Sequence, residues 1–193
     1  MRCLHVIDAL RPTPVTGALV ALLSTRLRAT GEGDTHDVLA FSGGSAEEAL
    51  RARARRLFIA DNGLDIAAVV HARAYDVIHA IDAASAHRLA PLVLGSSATP
   101  FVYSGRGLAR LAGPAFGRAA EESLSAAADL TILDASAEPA DSRGELGSRL
   151  VRLDLVRSGL VPTDGLPADD PPSPRAASVL REWLACLARA AAA

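Results

Sequence analysis

Short apolar runs of strand length alternate with segments whose leucines and alanines recur at helical spacing. The helical segments place their apolar residues three and four positions apart, as in a helix with one buried face. Because a helix is the usual link between parallel strands, this alternation predicts a doubly wound α/β fold. We expect a mostly parallel, Rossmann-like sheet of six or seven strands with helices on both faces. The predicted strands are residues 3–7, 37–41, 57–59, 77–78, 100–103, 130–133 and 150–155.

A segment rich in proline and aspartate separates this alternating region from one last helix. We predict a single domain over residues 1–160, a linker over 161–174 and an amphipathic helix over 175–193. The apolar stripe of that helix is centred on Trp183. It can pack on its own domain or be offered to a partner. A short tether favours packing on its own domain, because it raises the effective concentration.

Composition excludes several classes of function. The formal net charge is −2, which does not indicate a nucleic-acid-binding protein. All 20 basic residues are arginine, so there is no lysine for a phosphate-binding P-loop or a Schiff base. No apolar run approaches the roughly 20 residues of a membrane span, and we expect a cytoplasmic protein with both cysteines reduced. The five histidines lack metal-ligand spacing, so no metal and no cofactor is expected.

Polar residues follow several of the predicted strands. In an open parallel sheet, ligands bind just beyond the carboxyl ends of the strands. A glycine at the start of the helix after the first strand also lets backbone N–H groups approach a phosphate. The candidate ligand-binding residues are therefore His79, Asp82, Ser104 and Arg106, and the candidate phosphate-loop residues are Thr16 and Gly17.

Six segments, in order, resemble one known family. They are CLHVIDALRP, GDTHDVLAFSGG, DVIHAID, TPFVYSGRGL, EESLSAAADLTILDAS and LVPTDGLPADDP. Together they are similar to the N-terminal, acceptor-side domain of family 4 glycosyltransferases with the GT-B fold. The resemblance runs from Met1 to about Pro162 and implies glycosyl transfer to a small-molecule or lipid-linked acceptor.

The chain departs from the family pattern in ways that bear on activity. The sugar-nucleotide domain of the family has no counterpart here. Ile81 replaces the second histidine of the "HAHD" pattern, and Arg106 replaces the histidine of the "HG" pattern. The resemblance then implies a stand-alone acceptor-side half that is inactive alone and needs a donor-binding partner chain. The alternative is a non-catalytic scaffold or regulatory protein derived from such an enzyme.

Each candidate residue also has a structural interpretation. His79 can tie down a loop, and Asp82 can cap the next helix. Arg106 can bind an anion or be a surface residue of a Gly-rich loop. The arginines between Arg51 and Arg56, predicted on a helix capped by Ser45, can face anionic lipid or solvent. Cys3 and His5, on a core strand, are expected to be structural.

Overall fold

A single parallel sheet forms the centre of the protein. The computed structural model describes residues 1–28, 33–71, 75–93, 99–104, 118–134, 150–155 and 173–193. Every strand pairing is parallel, and the order β3-β2-β1-β4-β5-β6-β7 is that of a doubly wound fold. The predicted fold class is confirmed. The strands are β1 Arg2–Ala9, β2 Thr35–Ser42, β3 Arg56–Ile59, β4 Val77–Ala80, β5 Phe101–Tyr103, β6 Leu130–Asp134 and β7 Leu150–Leu153.

Helices cover both faces of this sheet. They are α1 Pro14–Arg28, α2 Glu47–Arg51, α3 Ile66–His71, α4 Ala83–Val93, α5 Arg118–Ala127 and α6 Pro174–Ala191. The apolar side chains of α1, α2 and α6 share one buried cluster, and those of α3, α4 and α5 share the other. Alternate residues of the strands contribute to the two clusters, as the pleat of a strand requires.

The C-terminal helix completes one of these two layers. Helix α6 contacts α1 and strands β4, β5 and β7, on the part of the face that α1 and α2 do not cover. Trp183, Leu180 and Leu187 of α6 have no exposed surface. The helix begins at Pro174, and the Ser173 hydroxyl accepts a hydrogen bond from a backbone N–H of the first turn. The helix therefore packs on its own domain, as the short tether predicted.

No helix in the described part of the chain is long and apolar enough to cross a membrane.

The arginine-rich segment differs from its predicted form. Helix α2 ends at Arg51, and Arg56 already lies in β3, so these arginines do not share one helical face. The predicted cap is also wrong, because Ala46 rather than Ser45 precedes the helix and no side chain caps it. Glutamates in the first turn stabilise this short helix through its dipole.

Two of these arginines bind side chains of other secondary-structure elements. The Arg55 guanidinium donates two hydrogen bonds, of 2.9 and 2.7 Å, to the Asp37 carboxylate, which is 1% exposed. Tyr75 donates a third, of 3.0 Å, to the same carboxylate. Arg53 bonds to the Ser24 hydroxyl and to a backbone carbonyl. This segment thus has a structural role, because a buried carboxylate needs a paired cation.

Candidate functional site

The carboxyl ends of β1, β4 and β5 lie side by side, and three of the predicted residues, His79, Asp82 and Ser104, lie at or beside them. Ser104 follows β5, and its N–H bonds to the Ala80 carbonyl at the end of β4. Asp82 lies between β4 and α4. Its carboxylate accepts backbone N–H bonds from Asp8, at 2.9 Å, and from Ser85, at 2.8 Å. Asp82 therefore caps α4 and fixes the loop that follows β1.

Charge at this edge is carried by exposed groups beside Asp82. Arg88 of α4 forms an ion pair with Asp8 at 3.4 Å, and both side chains are more than one-third exposed. The Arg88 guanidinium also lies 5.0 Å from the centre of the Phe41 ring. Burial raises the pKa of the Asp82 carboxyl, although the two backbone N–H donors oppose that effect. Among the described residues, the Arg88 guanidinium and the Asp8 carboxylate are thus exposed at this edge, next to a partly buried acid.

The start of α1 holds the two phosphate-loop candidates. Thr13 caps this helix, and its hydroxyl and carbonyl accept the N–H groups of Thr16 and Gly17 at 3.2 and 2.9 Å. The Thr16 side chain is buried and bonds to the Thr13 hydroxyl. Both candidate N–H groups are therefore hydrogen-bonded within the helix start.

His79 belongs to a row of buried polar side chains that crosses four strands. We call it the histidine row: His36 of β2, His5 of β1, His79 of β4, and Ser104 after β5. His36 Nδ1 lies 2.7 Å from His5 Nε2, and His5 Nδ1 lies 2.8 Å from His79 Nδ1. His79 Nε2 then lies 2.7 Å from the Ser104 hydroxyl. Each distance is that of a hydrogen bond.

Register and alternation explain why these groups meet. His5 and His79 are direct partners in the parallel ladder, and Cys3 is the partner of His36. All of them point to the face that α6 covers, where the Trp183 ring meets His79 edge-on at 5.7 Å. The row thus lies between the sheet and a helix, with at most 2% of any member exposed.

Burial keeps the imidazoles of His5 and His79 neutral. Together with the neighbouring imidazoles, it lowers the pKa of His79 to about 3 and that of His5 well below its ordinary value. A neutral imidazole has one N–H and one acceptor nitrogen. The hydrogen bonds of the row can therefore run from Ser104 towards His36 or in the opposite direction, but every member must follow the same direction.

These hydrogen bonds place His79 where it can orient another side chain. Both of its ring nitrogens bond to protein groups, and its side chain has no exposed surface. It orients the Ser104 hydroxyl from the α6 side of the sheet. Sequence reasoning treated His5 as structural and passed over His36. The signal at His5 was its position between Cys3 and Ile7 on one face of a strand, whereas His36 has an apolar neighbour, Val38, on one side alone.

The candidate Arg106 lies outside the described residues, which resume at residue 118 after Ser104.

Comparison with known proteins adds one result on fold. No protein-family model matches the chain, and no curated protein matches it. A solved structure, that of HepE from Anabaena in complex with UDP and glucose, aligns with a TM-score of 0.58. The chain is similar to HepE in fold. The sequence identity is 15%, and the alignment covers 79% of this chain and 44% of HepE. At that identity the likeness shows the Rossmann-like fold alone, over less than half of the solved protein.

Proposed function

We propose that this domain is the acceptor-side half of a glycosyltransferase-like unit. The fold supports the proposal, because 79% of this chain aligns with 44% of a protein whose structure holds UDP and glucose. In a two-domain arrangement, the edge that carries Asp82 and Ser104 would face the donor-binding half. We propose that a separate chain supplies that half, and that the acceptor is a small molecule or a lipid-linked molecule.

In this proposal the candidate residues have different tasks. Asp82 holds the loops after β1 and β4 together, and Ser104, whose buried hydroxyl bonds to His79, fixes the end of β5 beneath this edge. Arg106, two residues further on, binds an anionic group of the ligand or partner. Thr16 and Gly17 lie at the start of α1, whose dipole favours a phosphate nearby. His79 positions Ser104 and does not itself meet the ligand.

One observation favours a second candidate, a non-catalytic scaffold or regulatory protein. Ile81 stands where the resembled family has its second histidine, and it is fully buried in the cluster beneath α1 and α6. An apolar core residue cannot transfer a proton or bind a hydroxyl group. The same edge would then bind a partner protein without chemistry.

An assay of nucleotide release separates active from inactive forms. Glycosyl transfer requires that the leaving nucleoside diphosphate be held and its charge stabilised. The pure 193-residue chain, incubated with UDP-glucose and candidate acceptors, should therefore release no UDP. Acceptor-dependent UDP release that His79→Ala abolishes would contradict the proposal.

Co-purification then distinguishes the two candidates. A co-purifying donor-binding chain that restores turnover supports the first, and a complete glycosyltransferase that stays active without this chain supports the second.

Matched arginine variants locate the binding surface. Arg106→Ala should weaken binding of the co-purified partner. Because the sequence predicts a Gly-rich loop at Arg106, thermal stability should stay nearly unchanged, since exposed loop substitutions usually change stability by no more than about 0.5 kcal/mol. Arg56→Glu is the control, because Arg56 is exposed and lies on the edge strand β3, far along the sheet order from β5. Arg53 is unsuitable as a control, since its guanidinium bonds within the fold. Loss of binding in Arg56→Glu but not in Arg106→Ala would place the surface elsewhere.

A further inference from the structure

We infer that Cys3, His5 and His36 form a buried site for one soft metal ion, and that this site favours monovalent copper. One ligand atom from each residue lies within 4.8 Å of the other two, and none of the three is more than 2% exposed. Cys3 and His5 alternate on β1 and so share a face, and His36 is the ladder partner of Cys3 on β2. The site lies near the amino ends of these strands, away from the edge at Asp82 and Ser104.

The ligand atoms lie near one another, although not at the spacing of a coordinated ion. His5 Nε2 lies 2.7 Å from His36 Nδ1, and the Cys3 sulfur lies 3.9 Å from Nδ1, the other nitrogen of the His5 ring. Metal–imidazole bonds of about 2.0–2.1 Å place two ligand nitrogens roughly 3.4 Å apart in tetrahedral or trigonal geometry. The two rings would therefore have to separate by roughly 0.7 Å, which small side-chain rotations provide. The ion would replace the proton that the two nitrogens now share.

The rest of the histidine row supplies the outer hydrogen bonds that a metal-ligating histidine requires. With Nε2 on the metal, His5 keeps its proton on Nδ1 and donates it to His79 Nδ1, 2.8 Å away. His79 then donates from Nε2 to the Ser104 hydroxyl at 2.7 Å. Such partners fix the tautomer of the ligand and raise its basicity. Metal binding would select one of the two directions that the row can adopt.

Charge decides which ion suits the site. Binding converts the Cys3 thiol to a thiolate and releases one proton to solvent, while both imidazoles stay neutral. Monovalent copper and one thiolate sum to zero charge. Zinc would leave one uncompensated positive charge in a fully buried cluster, which is costly. The nearby Asp37 carboxylate points to the opposite face and is already paired with Arg55. Thiolate is also the ligand type that selects monovalent copper.

The test is a titration with matched variants. Because the site is buried, the whole chain is refolded under reducing, oxygen-free conditions with monovalent copper, and copper retention is measured against the chelator bicinchoninate. We expect one copper per chain, and at least a tenfold loss of affinity in Cys3→Ser and in His36→Gln. Cys186→Ser is the control, because Cys186 is the other buried cysteine and lies on α6 outside the cluster. The double variant His71→Gln/His87→Gln removes exposed histidines that could bind copper at the surface.

Each result supports or overturns the assignment. The assignment is overturned if copper remains bound in Cys3→Ser, or if copper is lost in the Cys186 control or in the exposed-histidine control. It is also overturned if the parent retains no copper against the chelator. If Cys3→Ser does not fold, X-ray absorption of the loaded parent decides the question. One sulfur and two nitrogens around copper support the site, whereas nitrogen ligands alone or two sulfurs overturn it. Zinc bound more tightly than copper in a parallel titration would overturn the preference for copper.

Discussion

Replacement of Trp183 by alanine tests how much the C-terminal helix contributes to the fold. Trp183 has no exposed surface, and its ring packs against His79 beneath α6. Removing a buried tryptophan side chain costs about 3–5 kcal/mol, from lost apolar contact and from the cavity left behind. For a chain of this size, each kcal/mol lowers Tm by about 2–4 °C, so we expect a decrease of roughly 10 °C.

Trp183→Phe separates packing from hydrogen bonding. The indole N–H of Trp183 is buried and has no hydrogen-bond partner among the described residues. An unsatisfied buried donor costs about 1–3 kcal/mol. Removing the indole N–H should therefore offset most of the free energy that is lost because phenylalanine is smaller than tryptophan. We therefore expect Trp183→Phe to lie within about 1 kcal/mol of the parent. Glu182→Ala, an exposed change on the same helix, should shift stability by no more than about 0.5 kcal/mol.

Urea unfolding followed by circular dichroism measures these differences, with an unchanged m-value as the check that the unfolded reference is the same. Trp183 is the only tryptophan, so parent fluorescence reports directly on helix packing. Indole emission typical of water, or a Trp183→Ala variant as stable as the parent, would refute the reasoning. Stability that rises with protein concentration would indicate that α6 packs on a second copy instead.

Two further predictions concern the histidine row and the contact between the loops after β1 and β2. The pKa of His79 is about 3 in the fold against about 6.5 unfolded, so the metal-free unfolded chain binds the proton first as pH falls. The free energy of unfolding should therefore decrease between about pH 6.5 and about pH 3, by about 5 kcal/mol from this group. Urea unfolding across that range should show a weaker dependence of this free energy on pH in His79→Gln than in the parent. An equally weak dependence in the exposed control His87→Gln would contradict the assignment. A Cβ at Gly44 would lie 2.2 Å from the Leu10 carbonyl oxygen, whereas one at Gly43 meets nothing closer than 3.5 Å. Thermal denaturation should show Gly44→Ala less stable than Gly43→Ala by about 1–3 kcal/mol, and equal stability would contradict the close approach.

The fold followed from local pattern in the sequence. Apolar runs of strand length and helical spacing between them determine which segments pair and which cross over, since a parallel ladder requires a crossover. The polar strand ends at His79, Asp82 and Ser104 were also visible, because ligands and loops gather at the carboxyl edge of such a sheet. The capping role of Asp82 could be anticipated from its position before α4.

The meaning of those polar residues was decided by tertiary structure. His5, His36 and His79 lie on three strands far apart in sequence, and a register shift of one residue would have put one of them on the opposite face. Likewise, nothing local pairs Arg55 with Asp37, because that contact requires β2 and β3 to be in register. Sequence pattern determines which side chains leave a strand on the same side. Register and the helix packed above decide which of them touch, because contacts between distant segments depend on the whole sheet.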